Sequence, residues 1–281
     1  MLPPMKTNLK KQKECKIKLS VEIDAAEIES CYQEVLRGVQ GQATLAGFRQ
    51  GKAPLDLVQK KFTREIDEEV LKSLIPETYH RAVQKHGVSP VSLPSISDIK
   101  MERGRHLKFE AEFETEPEFV IRNYKGVKIR KVPVDVGSDS QRIMKDELVA
   151  KLLESVKFEV PEGLATQQKQ RLLEQARQEY QRMGLPPERF EADRGRLEAE
   201  TAGKARDQVK LFFILKKIAD NEKIEVDEIE LEAKLKAIAD GSKHPVEEIR
   251  RVFEEDLRES MREKQTVDFL LANAKLEEPK P

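Results

Sequence analysis

Apolar and polar positions alternate strictly near the start of the chain. Cys15, Ile17, Leu19, Val21 and Ile23 interleave with Lys16, Lys18, Ser20 and Glu22. A period of two predicts a strand with one buried face. Asp24 with Glu27 three residues on is a helix-start pattern. The period then lengthens: Ile28, Cys31, Val35 and Val39 recur at helical spacing, and Gly41 ends that helix. After a loop, Pro54 suits the first turn of a short helix through Phe62. Thr63 is placed to cap a longer helix that buries Ile66, Val70, Leu74 and Val83 and stops at Gly87. Residues 88–98, with Pro90 and Pro94, read as irregular. Ile99 and Met101 alternate again, and Arg103-Gly104-Arg105 turns the chain. Leu107, Phe109, Ala111 and Phe113 then alternate with Lys108, Glu110, Glu112 and Glu114, which completes a hairpin. Residues 1–115 are thus predicted to form a small α+β domain, an antiparallel sheet with helices on one face.

Residues 116–133 read as extended, with Val127 and Ile129 in a strand closed by Pro133. Asp135 to Ser140 is rich in turn formers, so 116–140 is expected to be an extended linker. Beyond it the strand signal almost vanishes. Helices are predicted at 141–157, 161–183, 187–221, 227–240 and 245–274. Pro161, Pro187 and Pro245 stand near their starts, and Gly184 and Gly241 at ends. Asp227 with Glu230 makes a second cap pattern. Apolar stripes such as Leu197, Ala205, Phe212 and Leu215 are interrupted by charge. That pattern suits slender, arm-like helical hairpins, so 141–281 is expected to be an elongated all-α domain.

Composition agrees with this division. Charged residues make up 37% of the 281, hydrophobic ones 38% and aromatics 5%, with no Trp. Much solvated helical surface is favoured over one deep core. Residues 1–135 carry 24 Lys/Arg against 20 Asp/Glu, and the remainder 27 against 32. The front part is therefore mildly basic, compatible with an RNA-rich partner.

Cys15 and Cys31 each fall on an apolar face, which predicts buried free thiols and no disulfide framework. His80, His86, His106 and His244 are scattered, with no metal-ligand spacing. Gly47 to Lys52 lacks the spacing of a phosphate loop, and no nucleophile elbow occurs. No cofactor, metal or catalytic residue is expected. No apolar run approaches 18 residues and the first residues contain no apolar leader, so no membrane association is expected and the protein is predicted to be cytoplasmic. Met5 is an alternative start.

The segment Gly47-Phe48-Arg49-Gln50-Gly51-Lys52-Ala53-Pro54 is the most informative. Two glycines allow a loop to turn sharply and expose what stands between them. Two readings fit the residues alone: an exposed aromatic and Arg that anchor another macromolecule, or a turn whose Phe48 packs inward and whose Arg49 is solvated. Over residues 49–64, Arg49, Lys52, Lys60, Lys61 and Arg64 face a single acid, Asp56. That field suits the phosphates of RNA.

With this loop in place, the chain resembles bacterial trigger factor, a ribosome-associated chaperone. The strand and helix before the loop, the loop itself, the stretch Asp67 to Pro90 and the hairpin ending Phe109 to Glu118 resemble its N-terminal domain. Val160-Pro161-Glu162, Leu172 to Ala176, Val209 to Ile218, Pro245 to Phe253 and Val267 to Leu276 resemble its helical region. The resemblance implies an ATP-independent chaperone. Gly47, Phe48, Arg49, Gln50, Gly51 and Lys52 would bind the large ribosomal subunit, touching an exit-site protein and rRNA. The helical domain would hold nascent or unfolded polypeptides, with Phe190 and Phe253 as candidate client contacts among Phe190, Phe212, Phe213, Phe253 and Phe269. A homodimer off the ribosome is also implied. Two departures stand out. Gln50 replaces the family's usual Lys, and the usual FKBP-like prolyl isomerase domain has no room between Pro133 and the first helix of the second part. The chain is therefore expected not to be an enzyme. The alternatives are a ribosome-independent holdase of the SurA type, a residual prolyl isomerase, and a ribosome-binding factor without client activity.

Overall fold

The computed structural model describes residues 5–13, 15–102, 104–130 and 138–277, with the side chains of Glu102, Ser138 and Asp139 left aside. The chain divides into two compact units, Met1–Glu116 and Pro117–Pro281.

The first unit contains β1 (Lys6–Lys11), β2 (Lys16–Asp24), α1 (Ala25–Gln42), α2 (Leu55–Lys61), α3 (Thr63–His86), β3 (Ser95–Glu102) and β4 (His106–Glu114). The sheet order is β1-β2-β4-β3, antiparallel throughout. Its inner face carries Leu19, Ile23, Leu107, Phe109 and Ala111, all fully buried against Ile28, Tyr32, Ile66, Val70 and Ala82 of the helices. Each buried Leu, Ile, Val or Phe among them contributes about 1.5–3 kcal/mol. The outer face carries ion pairs instead: Lys18–Glu110 at 2.5 Å, Lys16–Glu112 at 3.5 Å and Lys108–Glu22 at 3.2 Å. Solvent screens such pairs, so their main effect is on register. A two-residue slip in one direction would set Glu22 against Glu110, carboxylate to carboxylate.

Several local expectations shift. β1 has no sequence signal because only Thr7 and Leu9 turn inward from a lysine-rich run. β3 begins at Ser95, inside the stretch read as irregular. A register shift between Ser97 and Lys100, with Asp98 at φ 51°, rotates the strand. Ile99 is consequently exposed while Ile96 and Met101 pack on the core. α1 buries the row Ile28, Tyr32, Leu36, with Cys31, Val35 and Val39 half-buried on its flank. Cys15 is buried, Cys31 is half-buried, and neither is in a disulfide.

The cap patterns divide. Asp24 occupies the N-cap of α1 but its side chain makes no cap bond. Glu27 pairs instead with Arg81 of α3, their side chains only 10% and 16% exposed. Thr63 is the first residue of α3, not its cap. Its hydroxyl donates to the Gln59 carbonyl at 2.6 Å and so joins α3 to α2. Pro76 stands inside α3, where it offers no N–H to the carbonyl four residues earlier. Gly87 caps α3 in the left-handed region at φ 61°.

The second unit contains β5 (Lys128–Arg130), α4 (Ser138–Ser155), α5 (Glu162–Arg182), α6 (Pro187–Glu222), α7 (Glu228–Ser242), α8 (Val246–Ala272) and β6 (Lys275–Glu277). The linker expectation for 116–140 does not hold over its described part. Ile121 and Ile129 are buried in the core of this unit, and Phe119, Tyr124 and Val127 pack on it. Val127 and Ile129 alternate as the predicted strand does, but Phe119, Ile121 and Tyr124 are spaced irregularly, so only the packing reveals them as core. Ser138 to Ser140 already belong to α4, while Pro133 and 135–137 lie outside the described residues. Leu148, Leu152, Ile214, Leu215, Ile218 and Leu270 complete that core.

α5 pairs with α6 but buries Ala165 alone. α7 pairs with α8 around Leu231, Leu235, Ile249 and Met261. These are the slender hairpins expected from the interrupted stripes. The second cap pattern is correct, since Asp227 accepts from the Ile229 N–H at 2.8 Å. Gly241 is internal to α7, whose stop is Lys243 at φ 59°. β6 pairs in parallel with β5, and nothing in its Lys-Leu-Glu sequence announces a strand.

Two outcomes follow. Removing Arg81 leaves the Glu27 carboxylate buried and uncompensated, so Arg81→Ala should cost about 3 kcal/mol in urea unfolding of the first unit, and Glu27→Gln/Arg81→Leu should recover most of it. In the second unit, the Arg130 amide and then Lys151 hold the Glu147 carboxyl below its ordinary 4.5. A lowered carboxyl stabilises above its unfolded pKa and loses that contribution as pH falls through the folded value. Acidification below about pH 4.5 should therefore loosen this unit, and the pH dependence of its thermal midpoint should flatten in Glu147→Gln.

Candidate functional site

Residues 43–54 connect α1 to α2, and their stem is fixed before their tip. Ala43 and Ala53 are buried, Leu45 and Leu55 pack on the core, and Gln40 Nε2 donates to the Ala53 carbonyl at 2.6 Å. The tip is two turns in tandem. The Phe48 N–H donates to the Leu45 carbonyl at 3.0 Å, and the Lys52 N–H to the Arg49 carbonyl at 2.9 Å. Gly47 and Gly51 each occupy the third position of their turn, at φ 85° and 77°. That position of a type II turn requires positive φ and hence glycine. The glycine spacing is thus a consequence of two turns set end to end. Phe48 and Arg49 stand at their junction.

The tip residues are open to solvent. Phe48 is 41% exposed, and Arg49, Gln50 and Lys52 are exposed as well. The Gln50 amide approaches the Gln42 carbonyl only at 3.5 Å. Among the described residues no carboxylate lies within ion-pair distance of Arg49, Lys52, Lys60 or Lys61, whereas Arg64 is paired with Glu68 at 2.9 Å. Lys61 lies over the Phe62 ring, 5.6 Å from its centroid. Uncompensated cations beside an exposed ring can take up an anionic macromolecular surface together with an apolar contact. Sequence reasoning missed Leu57, which is 42% exposed on α2. Its signal was present: Val58 and Leu55 take the inward positions of that helix, which turns Leu57 outward.

In the second unit the candidate phenylalanines separate. Phe190 is half-buried against Tyr180, edge to face at 5.7 Å. Phe253 is 43% exposed. Phe213 is core, Phe212 leans on it at 5.1 Å, and Lys125 lies over the half-buried Phe269. Met183, Ile229 and Val252 are more exposed than any of these, and none was named from sequence because they stand off the stripes. Among the described residues no group of His, Cys, Asp and Glu is placed to hold a metal ion. Among the described residues no helix is long and apolar enough to cross a membrane.

Comparison with known proteins bears on this arrangement. A family profile described as bacterial trigger factor protein matches residues 5–146, and one described as the trigger factor C-terminus matches residues 136–272. The chain belongs to the trigger factor family. A trigger factor from Natranaerobius thermophilus is 38% identical over 122 residues, covering 43% of this chain and 27% of that protein. One from Geobacillus kaustophilus is 36% identical over 141 residues, covering 47% of this chain and 33% of that protein. The matched stretches thus span about a third or less of these trigger factors. A solved structure reported as "Promiscuous Substrate Recognition in Folding and Assembly Activities of the Trigger Factor Chaperone" superposes with a TM-score of 0.57 at 14% identity. It covers 94% of this chain and 99% of that one, which establishes the trigger factor fold. The two family profiles overlap at 136–146, and no unmatched stretch separates them.

The exposure of the tip sets a stability expectation. Phe48→Ala and Arg49→Ala should each leave the unfolding free energy of the first unit, measured in urea, within about 0.5 kcal/mol of wild type. Val58→Ala, three residues beyond the loop stem and fully buried, should cost about 1–2 kcal/mol.

Proposed function

We propose that this trigger factor chain is an ATP-independent chaperone. It docks through residues 47–52 beside the polypeptide exit of the large ribosomal subunit in the cytoplasm and holds nascent or unfolded chains there. The observation that carries the docking half is the tandem turn, which presents Phe48 and Arg49 together and clear of the core. Arg49 and Lys52 meet an acidic side chain or rRNA phosphates, and Phe48 fills a small apolar site. Lys52, Lys60 and Lys61 offset the loss of charge at Gln50. The helical region, 141–281, holds clients through scattered exposed apolar residues, Phe253 among them and Phe190 at a half-buried position. Small separated patches bind weakly, and release follows when a folding client buries its own apolar groups.

The chain is not a prolyl isomerase in this reading. Support comes from the overlap of the two family profiles, which leaves no insertion of domain size between them. A proline-peptide isomerisation assay should run at the uncatalysed rate.

Co-sedimentation with 70S ribosomes tests the docking. Phe48→Ala/Arg49→Ala should lower bound protein at least tenfold, and raising salt should weaken wild-type binding steeply. Undiminished binding by the double variant would sink the assignment. Suppression of aggregation of a chemically unfolded client, measured without ribosomes, tests the holding half.

A further inference from the structure

β5 has two edges, and both are occupied. The Arg130 N–H donates to the Glu147 carboxylate at 2.9 Å, and the Lys128 carbonyl accepts from Lys151. Glu147 and Lys151 pair with each other at 3.1 Å, so side chains of α4 close that edge. Val127 and Ile129 turn their backbone groups the other way, by strand alternation. There the Lys275 N–H donates to the Val127 carbonyl at 3.0 Å, and β6 lies in parallel register, Ile129 opposite Leu276.

The two strands are held very differently. β5 is fixed: Ile129 is buried, and the preceding Tyr124 and Lys125 both bind Glu222, at 2.6 and 2.8 Å. β6 buries no side chain, and Leu276 is 54% exposed. Its ladder spans three residues and begins where the Gly126 N–H donates to the Asn273 carbonyl at 2.9 Å and Ala274 packs on the core, and Glu277 forms an exposed pair with Lys128 at 2.6 Å. Parallel pairing is the weaker kind, and exposed ion pairs add little. A rigid strand edge is therefore covered by an extended segment that pairs through its backbone and leaves all three of its side chains exposed.

We propose that the edge of β5 now covered by β6 is a binding site for extended segments of unfolded polypeptide, and that β6 is its displaceable occupant. The chain's own segment shows that an extended backbone fits there. Strand addition recognises backbone groups and is indifferent to most side chains. That is the chemistry a holder of many unfolded sequences requires. β6 keeps the edge covered between clients, which prevents edge-to-edge association of copies. The inference rests on the client-holding function proposed above.

Affinity for reduced, carboxymethylated α-lactalbumin, read by fluorescence anisotropy, tests it in the full chain. Lys275→Pro removes the N–H that bonds Val127 and should tighten binding about fivefold, the release of a weak internal competitor. In Lys128→Cys/Lys275→Cys the paired Cα atoms stand at neighbouring-strand spacing, within disulfide reach. The oxidised form should bind at least fivefold more weakly than the same protein treated with dithiothreitol. Equal affinity of oxidised and reduced forms overturns the proposal, whatever Lys275→Pro does to folding. If wild type binds the client and both variants match it, the holding function stands and the β5 site falls. If wild type binds no unfolded client, both fall.

Discussion

The first unit depends on a sheet that buries one face only. Leu19, Ile23, Leu107, Phe109 and Ala111 are withdrawn from water against α1 and α3, and the opposite face is left to lysine–glutamate pairs. Burial supplies the free energy, and the charged face restrains the register. With the helices committed to one side, the α1–α2 connection has no core to enter beyond its stem. Ala43 and Ala53 are drawn in, the two glycines reverse the chain, and Phe48 and Arg49 are left in solvent. The exposure of that pair is a consequence of the layering as much as of the loop.

The second unit rests on a different balance. Its helices are long and richly charged, and α5 has a single buried residue. They hold together in a compact core built where α4, α6 and α8 meet the segment 117–130. Away from that core, apolar side chains such as Met183, Ile229 and Val252 stay largely exposed. A long helix with a thin apolar stripe can be stable as half of a hairpin and still leave such residues open.

Most elements were legible because their periods are clean. The strict alternation of β2 and β4 and the Pro and Gly punctuation of α5, α6 and α8 put those boundaries within a few residues. Asp227 was readable as a cap because its helix starts in the open. Asp24 carries a similar pattern, yet Glu27 is claimed by Arg81, and a tertiary ion pair outcompetes a local motif. Ile99 was misassigned because a bulge at Asp98 breaks the period within one strand. Leu57 was visible in principle, since the burial of Val58 decides where it points.

The sequence by itself determined the one-sided sheet, the helix succession and the two-glycine loop, because each is encoded over a few neighbouring residues by steric preference and hydrophobic period. Tertiary structure alone decided what joins distant parts. It made 117–130 part of a core, set Glu27 on Arg81, and laid Lys275–Glu277 along β5. Those outcomes depend on which surfaces remain after the local elements form. A three-residue strand with one apolar side chain acquires its identity only from the edge it covers.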